Sequence, residues 1–125
     1  MIKSNFIADV VDLLLDGDAD GTASRPQLAL ITDTVYGYTS GGMFVNFSHL
    51  ENINSYKCAK DELVLKNVKI TAAGHDFEAE ATLYFRGGII ERMEVSCTQG
   101  SFPRRELRQY TLTQNWAGGK QLSKE

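Results

Sequence analysis

The sequence predicts an α+β fold, in which an N-terminal helix and a second short one pack on a bent, mostly antiparallel sheet of about five or six strands. Three observations lead there. The first fifteen residues place apolar side chains at helical spacing, residues 34 to 114 run in β-branched and aromatic stretches, and glycine turns rather than helices separate most of those stretches.

Residues 5 to 15, NFIADVVDLLL, set Phe6, Ile7, Val10, Val11, Leu14 and Leu15 on one helical face and Asp9 and Asp12 on the other. Ser4 or Asn5 serves as the N-cap, and Gly17 is placed to end the helix in a left-handed conformation. The stretch DADGTAS that follows reads as turn chemistry, after which Ser24 and Pro26 can open a short helix over PQLALI. Two strands, TVYGYT and MFVNF, then flank a bend at Ser40-Gly41-Gly42. Residues 49 to 61 are polar and irregular, a connecting loop. In LVLKNVKITA the alternation of Leu63 and Leu65 slips before Val68 and Ile70, which predicts a bulge at Asn67.

A hairpin spans Glu78 to Cys97. A two-residue Gly87-Gly88 loop would set Leu83 against Arg92 and Ala81 against Glu94, mixing core and solvent faces. A loop of Arg86-Gly87-Gly88 instead opposes Phe85 to Ile89, Ala81 to Met93 and Ala79 to Val95, so the longer loop is expected. It turns Glu91 inward opposite Leu83 and sets Glu80 against Glu94 on the outer face. A last strand follows in LRQYTLTQ. The expected domain covers residues 1 to 116, with 117 to 125 as a mobile tail.

With 125 residues, the chain has room for one core. At 42% hydrophobic and 23% charged residues it is not a disordered chain, and no apolar run reaches the roughly 18 residues of a membrane helix. Net charge is -3 with no basic face, which argues against a nucleic-acid platform and favours a basic partner. Cys58 and Cys97 form no C-x-x-C pair, and the opening residues, carrying Asp9 and Asp12, do not read as a signal peptide. The expectation is a cytoplasmic protein with reduced thiols.

The stretch Asp16 to Gly21, DGDADG, matches the first half of an EF-hand loop, with Asp16, Asp18 and Asp20 as candidate Ca²⁺ ligands. Gln27 stands where the loop needs a bidentate Glu, so local turns are the preferred explanation. His49, His75, Cys58 and Cys97 have no zinc spacing. No nucleophile elbow is present, and Cys97 reads as a small apolar filler of the inner sheet face. Gly37, Gly41 and Gly42 match no phosphate loop. No cofactor is expected. The inward Glu91 is the one carboxylate a small-ligand site or hydrolase could use.

Leu13 to Gly17, Pro26-Gln27-Leu28, Tyr38 to Phe47, Leu83 to Ile90 and Met93-Glu94-Val95 resemble a family of small uncharacterised bacterial proteins. In that family a leucine-rich helix ends in Gly, a glycine-aromatic segment follows, and a late hairpin carries an acidic residue. In character the chain is similar to the immunity proteins of contact-dependent inhibition and other polymorphic toxin systems. The resemblance implies no catalytic residue. It implies a binding protein that neutralises a cognate toxin domain, such as a basic nuclease, by electrostatic steering or sheet-edge pairing. The candidate contact residues are Glu78, Glu80 and Glu94, with Tyr84 as an aromatic anchor.

Overall fold

In a computed structural model describing residues 1–125, α1 (Asn5–Leu15) lies against one face of a seven-stranded antiparallel sheet. The strands are β1 (Ile31–Thr39), β2 (Gly42–His49), β3 (Glu62–Thr71), β4 (Phe77–Arg86), β5 (Ile89–Gly100), β6 (Tyr110–Gln114) and β7 (Gln121–Lys124). Their order across the sheet is β1-β2-β5-β4-β3-β6-β7. One cluster of 29 buried apolar residues draws on α1 and on β1 to β6, so the chain has a single core. No helix is long and apolar enough to cross a membrane.

The stripe on α1 buries Phe6, Ile7, Val10, Val11, Leu14 and Leu15 as its spacing predicts, and Leu13 with them. Ser4 caps the helix by accepting from the Ile7 N–H at 3.2 Å. The other end differs from expectation, because Gly17 is not left-handed. Side chains satisfy the last carbonyls instead: Gln114 of β6 donates to Leu13 O at 2.9 Å and Thr22 to Leu15 O at 3.2 Å. With the helix end met from outside, no glycine conformation is required.

The turn expected after α1 coils into a second helix, α2 (Ala19–Ala23), capped by Asp18, whose carboxylate accepts from the Asp20 N–H at 2.8 Å. Pro26 sits at the start of a 3-10 helix, Arg25–Ala29. A second 3-10 helix, Glu51–Tyr56, lies inside the expected polar loop and buries Ile53 completely. Its single apolar side chain was too little periodicity to read from sequence.

Four bulges bend the sheet, at Thr34, Asn67, Glu91 and Thr98. Asn67 takes φ 79° at the position its strand pattern predicts. The Glu91 bulge corrects the hairpin. Gly87 and Gly88 form a two-residue turn with φ 59° and 78°, pairing Arg86 with Ile89 and Phe85 with Ile90. The next pair is Tyr84 with Arg92, so Glu91 is the extra residue, and beyond it Leu83 opposes Met93 and Ala81 opposes Val95. One unpaired residue restores the apolar phase for which the longer loop was expected. The interval of three between buried Ile90 and buried Met93 is the signal that would have revealed it.

The segment expected as a mobile tail supplies β7, which pairs with β6 from Tyr110↔Lys124 to Thr113↔Gln121 and brings Leu122 against the core. Four exposed or half-buried residues alternate there too weakly to announce a strand.

Candidate functional site

α1 packs on β3, β4 and β6, and the opposite face of the sheet presents the alternate, exposed or half-buried side chains of its strands. Across β1, β2, β5 and β4 that outer face runs in two rows. Gly37, Phe44, Glu94 and Thr82 stand in register in one, and Val35, Asn46, Arg92 and Tyr84 in the other.

These residues form a locked cluster. The Arg92 guanidinium lies 4.3 Å from the centre of the Phe44 ring and donates to Glu94 at 3.1 Å. The Tyr84 phenol stands near the same carboxylate, whose proximity together with burial pushes it above its ordinary pKa. Phe44 itself rests on Gly37: a Cβ there would stand 2.1 Å from the ring's Cε1. Gly42, at φ 150°, passes so close to β5 that a Cβ would meet Val95 O at 1.8 Å. The glycines read from sequence as bends therefore seat an aromatic ring and bring β2 against β5. Val35 is 52% exposed, which adds apolar surface at the rim. Arg92 Nε is buried without a hydrogen-bond partner, so the cluster holds one donor that the chain leaves unused.

The three carboxylates expected to contact a partner, Glu78, Glu80 and Glu94, lie on this side of the sheet in different states. Glu78 is paired with Lys69 at 2.7 Å, and Glu94 with Arg92 at 3.1 Å. Glu80 is exposed and faces Ser96 and Lys69 in register, not Glu94, because the two-residue turn and the Glu91 bulge each shift β5 by one residue. Thr82 is the residue opposite Glu94. The expected like-charge pair is thus absent.

Glu91 does not point into the core. It is the bulge residue, 47% exposed in its side chain and 3.6 Å from Arg86, which removes the inward carboxylate on which a hydrolase or small-ligand reading rested.

The three aspartates of the EF-hand-like stretch are not gathered either. Asp16 accepts from Arg25 at 2.5 Å and Gln114 at 2.8 Å and lies 3.5 Å from Lys120, while Asp18 and Asp20 face Lys60 at 3.9 and 3.3 Å. Winding of residues 19 to 23 into α2 assigns Asp18 to a cap and Asp16 to the end of α1. The Gln114 hydrogen bond, then Arg25 and Lys120, hold the Asp16 carboxyl below its ordinary range against the opposing effect of burial. No three His, Cys, Asp or Glu side chains converge in a way that could hold a metal ion. Both cysteines are free and half-buried, and burial pushes the Cys97 thiol up.

Among the other aromatics, Phe102 and Tyr110 are buried, Tyr38 and Trp116 are half-buried, and Tyr36 and Tyr56 are exposed. Phe44 and Arg92 are the contact candidates that sequence reasoning missed. Their signal was the strand alternation, which puts Phe44 on the outer face between inward Met43 and Val45.

No protein-family model matches the chain, and comparison with curated proteins and with solved structures finds no significant match.

Proposed function

We propose that the chain is a non-enzymatic protein-binding module and that the outer face of β2, β5 and β4 is its interface. The observation that carries this is the cluster of Phe44, Arg92, Glu94 and Tyr84, an aromatic and arginine group on the sheet face opposite the buried core, with Arg92 fixed between Phe44 and Glu94. Tyr and Arg are enriched at binding hot spots, and side chains already held in one geometry lose little entropy on association.

The partner that suits this face is a basic protein. Glu80 has no cation within ion-pair distance, and Glu78 and Glu94 each offer a carboxylate only partly engaged, in a chain of net charge -3. With the resemblance to toxin-system immunity proteins, this supports a cytoplasmic protein that neutralises a cognate toxin domain, a basic nuclease being the fitting kind. Electrostatic attraction would speed the encounter, and Phe44 with Arg92 would supply the desolvated centre.

The test is titration against toxin domains encoded beside the gene, with wild type, Phe44→Ala and the triple reversal Glu78→Lys/Glu80→Lys/Glu94→Lys. Phe44→Ala should lengthen no lifetime and shorten it on the order of tenfold or more, as hot-spot truncations do. The triple reversal should slow association and invert its salt dependence, since added salt then screens a repulsion. A tight complex indifferent to both sets of changes would move the interface elsewhere, and the absence of any complex would end the immunity reading.

A further inference from the structure

We propose that the segment joining β5 to β6 forms a binding site for a small phosphorylated ligand, in a hollow walled by Arg105, Arg108 and His75. This site is separate from the outer sheet face and does not depend on that reading.

The chain has six arginines. Arg25, Arg86 and Arg92 each have a carboxylate partner, at most 3.6 Å away. Arg104, Arg105 and Arg108 have none within 4.0 Å, and they fall within five consecutive residues of an acidic protein. Concentrating unpaired guanidinium groups is unfavourable unless something anionic answers them.

The backbone that carries them is tied at both ends. Phe102 is buried, packs edge-on against Phe77 with ring centres 5.2 Å apart, and donates its N–H to Ser40 O at 2.9 Å. Leu107 is buried in the core between Arg105 and Arg108. The intervening side chains therefore project from a fixed support, which lowers the entropy lost on binding.

They border a hollow of about 530 Å³ lined by Ala73, His75, Arg105, Glu106, Leu107, Arg108 and Gln109. That volume falls in the range of small-molecule sites. His75 enters from the β3–β4 turn, its ring beside Phe77 at 6.4 Å. An adjoining hollow of about 300 Å³ shares Glu106, Leu107 and Arg108 and adds Lys3 and Lys124.

The donors select the ligand. Guanidinium forks bind carboxylate or phosphate, but a lone carboxylate has only two oxygens, which one fork occupies. Two arginines and an imidazole lining one hollow supply donors enough for the three terminal oxygens of a phosphoryl group. Glu106 lines both hollows, and Glu125 ends the chain beside Lys124 in a third. These carboxylates interrupt the positive surface, so a compact anion fits better than a long polyanion tracking a continuous basic stripe.

The probe is sodium pyrophosphate, titrated into ¹⁵N-labelled protein at constant ionic strength. Saturable shifts confined to residues 73 to 75 and 104 to 109 are expected, weakened on the order of tenfold or more in Arg105→Gln/Arg108→Gln. Both side chains are exposed, so an unchanged unfolding transition should accompany that loss. Arg105→Lys/Arg108→Lys, which keeps the charge and removes the forks, should fall between. Shifts that fail to saturate, or equal affinity in the glutamine double variant, would overturn the site. A single-stranded oligonucleotide binding more tightly per phosphate than pyrophosphate would overturn the small ligand as its occupant.

Discussion

Removing the side chain of Gln27 should cost about 3 kcal/mol of stability, far more than a polar-to-alanine change usually does. Gln27 is fully buried. Its amide Nε2 donates to Tyr56 O and to Gly88 O, each at 2.9 Å, and its Oε1 accepts from the Ile90 N–H at 2.9 Å. One side chain thus joins the first 3-10 helix, the second, and the β4–β5 turn. In Gln27→Ala the Ile90 N–H is left buried without an acceptor, at about 1 to 3 kcal/mol. The Tyr56 carbonyl loses its donor, at about 1 kcal/mol, with Tyr56 near enough to the surface for water to offset part of it. Gly88 O keeps the Cys58 N–H at 3.0 Å, so it adds little. Urea unfolding measures the sum as a shift of midpoint at constant slope. A loss under about 0.5 kcal/mol, the size of a surface substitution, would refute the reasoning. Gln27→Glu sharpens the test, since its ionised carboxylate would face two carbonyl oxygens in a buried site. Burial and those carbonyls raise the folded-state pKa above the unfolded value of about 4.3. The folded state then binds more protons in that window, so relative to wild type the variant loses stability as pH rises above about 4.3 and recovers it in acid.

Gly37→Ala should displace the Phe44 ring and cost about 1 to 3 kcal/mol in thermal or urea unfolding, with Phe44→Ala in the same chain relieving part of that cost; additive losses would show that the ring does not rest on Gly37. Because Asp16 titrates below its ordinary value when folded, it contributes stability that is present above the unfolded pKa and lost as pH falls through the depressed folded one. Asp16→Asn should therefore lower stability at neutral pH and flatten the acid limb of the stability curve, and an unchanged acid limb would contradict the assignment. Burial, then the 2.6 Å hydrogen bond to Asp9, pushes the Tyr110 phenol far up, so ultraviolet titration should show it still protonated where an ordinary tyrosine has ionised. Tyr110→Phe should cost about 1 kcal/mol and leave the alkaline absorbance change of the folded protein unaltered.

Much of the fold follows from local pattern. The stripe on residues 5 to 15 has only one arrangement that buries Phe6, Val10 and Leu14 together, and that is a helix against a core. Leu63, Leu65, Val68 and Ile70 become inward residues only if Asn67 is skipped, so the bulge is written in the spacing. The β4–β5 hairpin shows where such reasoning fails. Both loop lengths leave one residue out of phase, and strand alternation by itself does not say whether the turn or a bulge absorbs it. Neighbours decide: Gly88 lies against the 57–58 backbone, donates its N–H to Asp61 O and accepts from Cys58 and Gln27, which holds the two-residue turn in place.

The candidate sites divide the same way. That Glu78, Glu80 and Tyr84 share an outer face is a consequence of period-two geometry and was readable. That Glu94 pairs with Arg92, that Phe44 sits over Gly37, and that Glu91 is solvated depend on which residue each hairpin leaves unpaired, and Phe44 meets Arg92 only because β2 pairs with the distant β5. The aspartates of DGDADG carry no mark of whether they share an ion or meet separate cations; Lys60, Gln114 and Lys120 arrive from elsewhere in the chain and settle it. By itself, then, the sequence determined the fold class, the amphipathic helix and the inward face of most strands, because side-chain period and burial are local properties. Tertiary structure alone decided the strand order, the partners of Gln27 and Gln114, and the stacking of Arg92 on Phe44, because a hydrogen bond or stacked ring between residues tens of positions apart leaves no trace in either neighbourhood.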